Sequence, residues 1–139
     1  MRALADDRVT FLPMQSDVVR LLHAADVTVL PSQLEEPFGR VVAETLSTGR
    51  PVVASRIGGI PEQLTGPFAE LLFEPADTAA LTALLVRFCD WRRTDPELGS
   101  RCAAHAARAL SLTSTVDGVE RVLAAAVEKR RRPARHRSR

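Results

Sequence analysis

Leu30-Pro31-Ser32-Gln33-Leu34-Glu35-Glu36-Pro37-Phe38-Gly39-Arg40-Val41-Val42-Ala43-Glu44 is the stretch on which the fold turns. It reads as the end of a buried strand, a short polar loop and the start of a helix. Residues 27–30 form a continuous apolar run that Pro31 ends, the pattern of a strand covered on both faces in a parallel sheet. Pro37 suits a first helical position and pushes Glu36 into an extended conformation. The pattern predicts a helix over 38–48, with Gly49 as its C-terminal stop.

On both sides of this stretch strands alternate with helices. Upstream, residues 2–8 read as a helix end or loop. Residues 9–12 read as a short strand stopped by Pro13. Ser16 is the expected N-cap of a helix over 17–25, in which Val18, Leu21, Leu22 and Ala25 recur at helical spacing. Downstream come a strand at 52–55, a turn through Arg56-Ile57-Gly58-Gly59-Ile60 and a short helix at 61–64 closed by Gly66. A fourth strand is expected at 69–73. Asp77 or Thr78 caps a long helix to about residue 93, with Leu81, Leu84, Leu85 and Phe88 on one face. Two further helices, 95–109 and 114–127, finish the pattern. The expected fold is α/β: a Rossmann-like parallel sheet of about four strands, with flanking helices and a helical C-terminal end. Ligands of such sheets gather beyond the carboxyl ends of the strands, where loops 31–39 and 55–61 both lie.

A chain of 139 residues, 45% of them apolar, makes one domain with a real core and excludes disorder as the default. No apolar run approaches the length of a membrane span, and the N-terminus has no signal-peptide pattern. Cys89 and Cys102 form no metal or redox spacing and read as small buried reduced thiols in helices, which with the missing signal predicts a cytoplasmic protein. The net charge of +2 conceals an asymmetry. Seven of the nineteen basic residues lie in 129–139, which leaves twelve basic against seventeen acidic side chains, a net of −5, in the body. The expected division is a domain over 1–128 and a basic, disordered tail over 129–139. The tail could touch an anionic membrane weakly, but it lacks aromatic residues for stacking bases, so no specific nucleic-acid binding is expected. A solubilising extension is the preferred account. His23, His105 and His136 show no partner arrangement and are assigned no catalysis, and Phe88 and Trp91 read as helix packing.

The chemistry lies at the start of the helix after Pro37. Its first N–H groups are unpaired and carry the positive end of the helix dipole, so a phosphate ester can dock there, with Gly39 allowing close approach to the main chain. Glu36 and Glu44 flank that start. They repel phosphate but accept hydrogen bonds from sugar hydroxyls, as an acidic side chain does for a ribose in dinucleotide folds. An anion site beside hydroxyl acceptors suits a nucleotide-sugar. The same residues also fit ordinary helix chemistry, with one acid near the helix start and the other solvated. Gly58-Gly59 fits either a pocket lining or a turn needing positive φ.

Four linked motifs carry a resemblance: Leu30-Pro31-Ser32; Glu36-Pro37-Phe38-Gly39 through Glu44; Gly49-Arg50-Pro51-Val52-Val53-Ala54; and Gly58-Gly59-Ile60-Pro61-Glu62. Together they resemble the retaining glycosyltransferases of family 4, which have the GT-B fold of two Rossmann-like domains facing across a cleft. The likeness is to the C-terminal, donor-binding domain over about residues 9–127. It implies that Glu36 holds hydroxyls of the donor sugar as a positioning and electrostatic residue at the catalytic centre. It implies that Glu44 holds the ribose hydroxyls. Amides around Phe38, Gly39 and Arg40 would meet the sugar or diphosphate, and Gly58 and Gly59 would line the donor pocket. The implied reaction moves a sugar from a nucleoside diphosphate to an acceptor hydroxyl with retention and needs no metal or other cofactor.

The departures from that pattern set further expectations. The acceptor-binding domain and the first strands of the donor domain, with their Gly-rich turn, have no counterpart here. The chain is therefore expected to be a fragment or half of a split enzyme, inactive alone and completed by the missing domain or a partner chain. Two other readings stay open: a non-catalytic α/β remnant acting as a partner or anion-binding module, and a piece of another GT-B enzyme such as a nucleotide-sugar epimerase.

Overall fold

The computed structural model describes residues 7–131. The order is α1 (Val18–Ala24), β1 (Thr28–Leu30), α2 (Arg40–Ser47), β2 (Val52–Ser55), α3 (Ile60–Gln63), a 3-10 helix (Gly66–Leu71), β3 (Leu72–Phe73), α4 (Thr78–Phe88), α5 (Trp91–Thr94), α6 (Leu98–Ala109) and α7 (Leu112–Arg131). The three strands form one parallel sheet in the order β1-β2-β3, with Thr28 opposite Val52 and Ser55 opposite Phe73. β2 is central and all four of its residues are buried, as expected of a parallel strand covered on both faces.

The core joins this strand to α2, α3 and α6 through Val42, Leu46, Ile60, Leu64, Leu71, Phe73, Leu98 and Cys102. α2 and α6 meet where Gly99 faces the Gly49 carbonyl, so closely that a Cβ on Gly99 would lie 3.0 Å from that oxygen. Gly49 itself has φ +70° and ends α2, as its position predicts. The Trp91 indole N–H donates to the Asp26 carbonyl at 2.7 Å, and Arg92 pairs with the Asp26 carboxylate at 2.7 Å. These bonds hold α5 against the entry to β1. Phe88 and Trp91 are both buried, in agreement with their reading as packing residues.

Several expectations need correction. Residues 9–12 are not a strand; Val9, Phe11 and Leu12 are exposed. A strand exists only where its backbone groups pair, and among the described residues no strand lies beside them. Among the described residues the sheet therefore has three strands rather than four. Of residues 69–73 only Leu72 and Phe73 are extended. The preceding six residues coil into the 3-10 helix, which Gly66 and Pro67 begin and which places Phe68 and Leu71, three apart, on its buried side. The long helix expected to residue 93 breaks after Phe88. Cys89 caps α4 and is exposed rather than buried. Asp17, not Ser16, caps α1, accepting from the Arg20 N–H at 3.2 Å. The last helix, expected over 114–127, spans Leu112–Arg131. The remainder of the 129–139 segment, including His136, lies outside the described residues.

Candidate functional site

The loops after β1 and β2 lie at the carboxyl end of the sheet and press directly on each other. The Gly59 N–H donates to the Glu36 carbonyl at 3.0 Å. Gly58 has φ +55°, and a Cβ there would fall on the Glu36 backbone; one on Gly59 would fall on the Pro37 carbonyl. Gly58 thus fits the reading as a turn that needs positive φ, and the lack of side chains on Gly58-Gly59 lets one loop seat on the other.

That contact sets the shape of loop 31–39. Pro37 and Phe38 stay outside the helix, and Gly39 turns the chain into it with φ +75° and ψ +58° as the N-cap of α2. This corrects the expected helical start at 38. The left-handed geometry at Gly39 is one that a residue with a Cβ adopts only with strain. No side chain caps the first turn of α2; the Val42 N–H donates to the Gly39 carbonyl at 2.8 Å, and the Arg40 and Val41 amides remain available to an anion. The Glu36 carboxylate curls back, and its Oε1 accepts from the Gly39 N–H at 3.1 Å. Phe38 is half-exposed.

Glu44 lies one helical turn along α2, where its Oε1 accepts from the Arg40 guanidinium at 2.9 Å. The structure therefore brings Glu36, Phe38 and Gly39 together with Gly58 and Gly59, and brings Arg40 together with Glu44. Among the described residues no hydrogen bond or ion pair joins Glu36 to Glu44; the two groups meet only through the chain at Gly39–Arg40. Arg56, in the turn after β2, pairs with Glu74 at 3.0 Å and so ties that turn to the end of β3.

Sequence reasoning missed two residues behind the site. Gln63 is buried in α3, and its side-chain amide donates to the Phe38 carbonyl. His105, read as partnerless, is buried in α6, where its Nε2 lies 2.7 Å from the Gln63 carbonyl and its ring lies 4.4 Å from that of Phe68. The only advance signal was polarity at positions that helical spacing sends inward. Cys102 is buried in the same helix, and burial pushes its thiol up to about 11, which removes it as a nucleophile. Among the described residues no group of three or more His, Cys, Asp or Glu could hold a metal ion, and no helix is long and apolar enough to cross a membrane.

The family model for glycosyl transferases group 1 matches residues 1–90, which include both loops, all three strands and α2. The chain belongs to this glycosyltransferase family. Relatives within reach of group 1 include a D-inositol 3-phosphate glycosyltransferase of Mycolicibacterium vanbaalenii, 37% identical over 115 residues. The enzyme of the same description from Thermobifida fusca is 35% identical over 105 residues. These alignments take in 81% and 76% of this chain but only 25% and 24% of the relatives, so the chain spans about a quarter of their length. Among solved structures, Anabaena HepE in complex with UDP and glucose superposes with a TM-score of 0.74 at 26% identity, over 86% of this chain and 33% of HepE. HepE in complex with UDP-glucose gives 0.69 at 25% identity, with the same coverage. The α/β fold is thus that of a group 1, GT-B-like glycosyltransferase domain, although one with three strands among the described residues.

Proposed function

We propose that this chain is the donor-binding part of a retaining glycosyltransferase of family 4, moving a sugar from a nucleoside-diphosphate sugar to an acceptor hydroxyl. The observation that carries the reading is the uncapped start of α2, led by a left-handed glycine, flanked by two acids and backed by a second glycine turn. HepE, which superposes on 86% of the chain, was solved with UDP-glucose bound, which supports a nucleotide-sugar donor.

In this proposal the diphosphate lies against the first-turn amides of α2, where the partial positive charge offsets the charge that develops as the sugar departs. Glu36 accepts from sugar hydroxyls through the oxygen that does not hold Gly39, and steadies positive charge at the anomeric carbon. Glu44 exchanges Arg40 for the ribose hydroxyls. That swap is cheap, because an exposed pair four residues apart contributes only about 0.5 kcal/mol. Gly58 and Gly59 shape the wall. Neither a metal nor another cofactor is required. The acceptor is held by an N-terminal domain or partner chain, without which the chain does not turn over. The setting is the cytoplasm, and the basic residues 129–139 serve solubility with weak contact to anionic lipid.

Titration calorimetry of the full chain with UDP-glucose, UDP and GDP-mannose tests this reading. One of these binds with sub-millimolar affinity, and Glu44→Ala weakens it about tenfold, or ~1.4 kcal/mol. Absence of heat with every ligand, in a folded sample alone and with a candidate partner domain, overturns the reading. If Glu36→Ala and Glu44→Ala leave binding unchanged while loss of 129–139 abolishes it, the remnant reading replaces it.

A further inference from the structure

The Phe38 carbonyl and the Gly39 N–H belong to one peptide group, and each end of that group is held by a different side chain. Gln63 donates to the oxygen, and Glu36 accepts from the N–H at 3.1 Å. From this we infer that Gln63 is a positioning residue: it fixes the 38–39 peptide plane and, through it, the direction in which the Glu36 carboxylate points.

The need for such a device follows from Gly39. A glycine at φ +75° has other conformations open to it, and rotation of the preceding peptide plane would point its N–H away from Glu36. The carboxylate would then lose the bond that orients it. Gln63 opposes that rotation because its own position is determined twice over. Its side chain is 99% buried, so its rotamer is set by packing. Its backbone carbonyl is bonded to His105, whose ring is braced by Phe68, which ties α3 to α6. A buried polar thread therefore runs from α6 through α3 to the donor loop.

The burial of Gln63 is hard to explain by stability alone. Its Oε1 has no hydrogen-bond partner among the described residues. An unpaired buried amide oxygen is destabilising, and a methionine would fill much the same space without that penalty. An amide kept at this price is kept for its donor, and the donor is aimed at the loop that carries Glu36.

The inference rests on the donor-site reading for its catalytic meaning, but not for its first test. In Gln63→Met, amide hydrogen exchange at Gly39 accelerates at least tenfold, while the melting temperature stays within a few degrees of wild type. Unchanged protection at Gly39 overturns the inference whether or not any ligand binds. The second test uses UDP-glucose and UDP. Gln63→Met weakens UDP-glucose about tenfold and UDP by less than threefold, and it adds nothing further in a Glu36→Ala background, because the two residues act in series. Equal losses for both ligands, or additive losses in the double variant, mean a merely structural role and overturn the inference. A wild-type chain that binds neither ligand, yet loses Gly39 protection in Gln63→Met, overturns the donor site and leaves the positioning of Glu36 established.

Discussion

Gly58 and Gly66 have nearly the same backbone, φ +55° and +58°, and entirely different surroundings. A Cβ on Gly66 meets nothing within 4 Å, whereas one on Gly58 meets the Glu36 backbone. Gly66→Ala therefore costs only the left-handed conformation, about 1 kcal/mol. Gly58→Ala adds a backbone collision to that cost and loses about 3 kcal/mol or more. Urea denaturation of the two variants measures the difference, and equal losses would mean that the loops do not press together in solution. Sequence reading placed Gly58 in a turn and Gly66 at the close of a helix but could not rank them, since a residue's own conformation is local and what a missing Cβ makes room for is not. The same limit hid Gln63 and His105. Each is an ordinary polar residue until the fold places a carbonyl in front of it.

Among the elements, α6 and α7 each carry a glycine, Gly99 in the first turn of α6 and Gly118 inside α7, with opposite consequences. Glycine costs a helix up to about 1 kcal/mol relative to alanine. At Gly118 a Cβ has open space, so Gly118→Ala raises the melting temperature by a few degrees. At Gly99 a Cβ would lie 3.0 Å from the Gly49 carbonyl and 3.1 Å from the Trp91 ring. Neither neighbour yields readily, because one is backbone and the other is anchored to Asp26. Overpacking at about 1–3 kcal/mol exceeds the propensity gain, so Gly99→Ala is destabilising by about 1 kcal/mol, which a thermal scan of both variants detects. Elements were legible where a strong local signal agreed with packing: β2 matches its expected span, and Asp77 caps α4 by accepting from the Ala80 N–H at 2.9 Å. Where the local signal was apolar but non-committal, as at residues 69–73, the 3-10 coil took most of the run because it buries Phe68 and Leu71 together.

For the whole molecule, the sheet has one fully enclosed strand and two edges among the described residues. Hydrogen exchange read residue by residue follows that arrangement: amides of β2 exchange slowest and those of β1 not directed at β2 exchange faster. Protection of those outward β1 amides equal to that of β2 would contradict the edge position of β1. What the sequence determined by itself was the alternation of strands and helices, the parallel α/β class, the glycine turns and the presence of a helix after Pro37. These follow from periodicity, proline and glycine chemistry and motif spacing, all of which act over a few residues. Only the tertiary structure decided the number of strands, the seating of one loop on the other, the partners of Glu36 and Glu44, and the thread from His105 through Gln63 to the donor loop. Those depend on which distant backbone groups come to face each other, and pairing across 25 or 42 residues leaves no periodic trace in the chain.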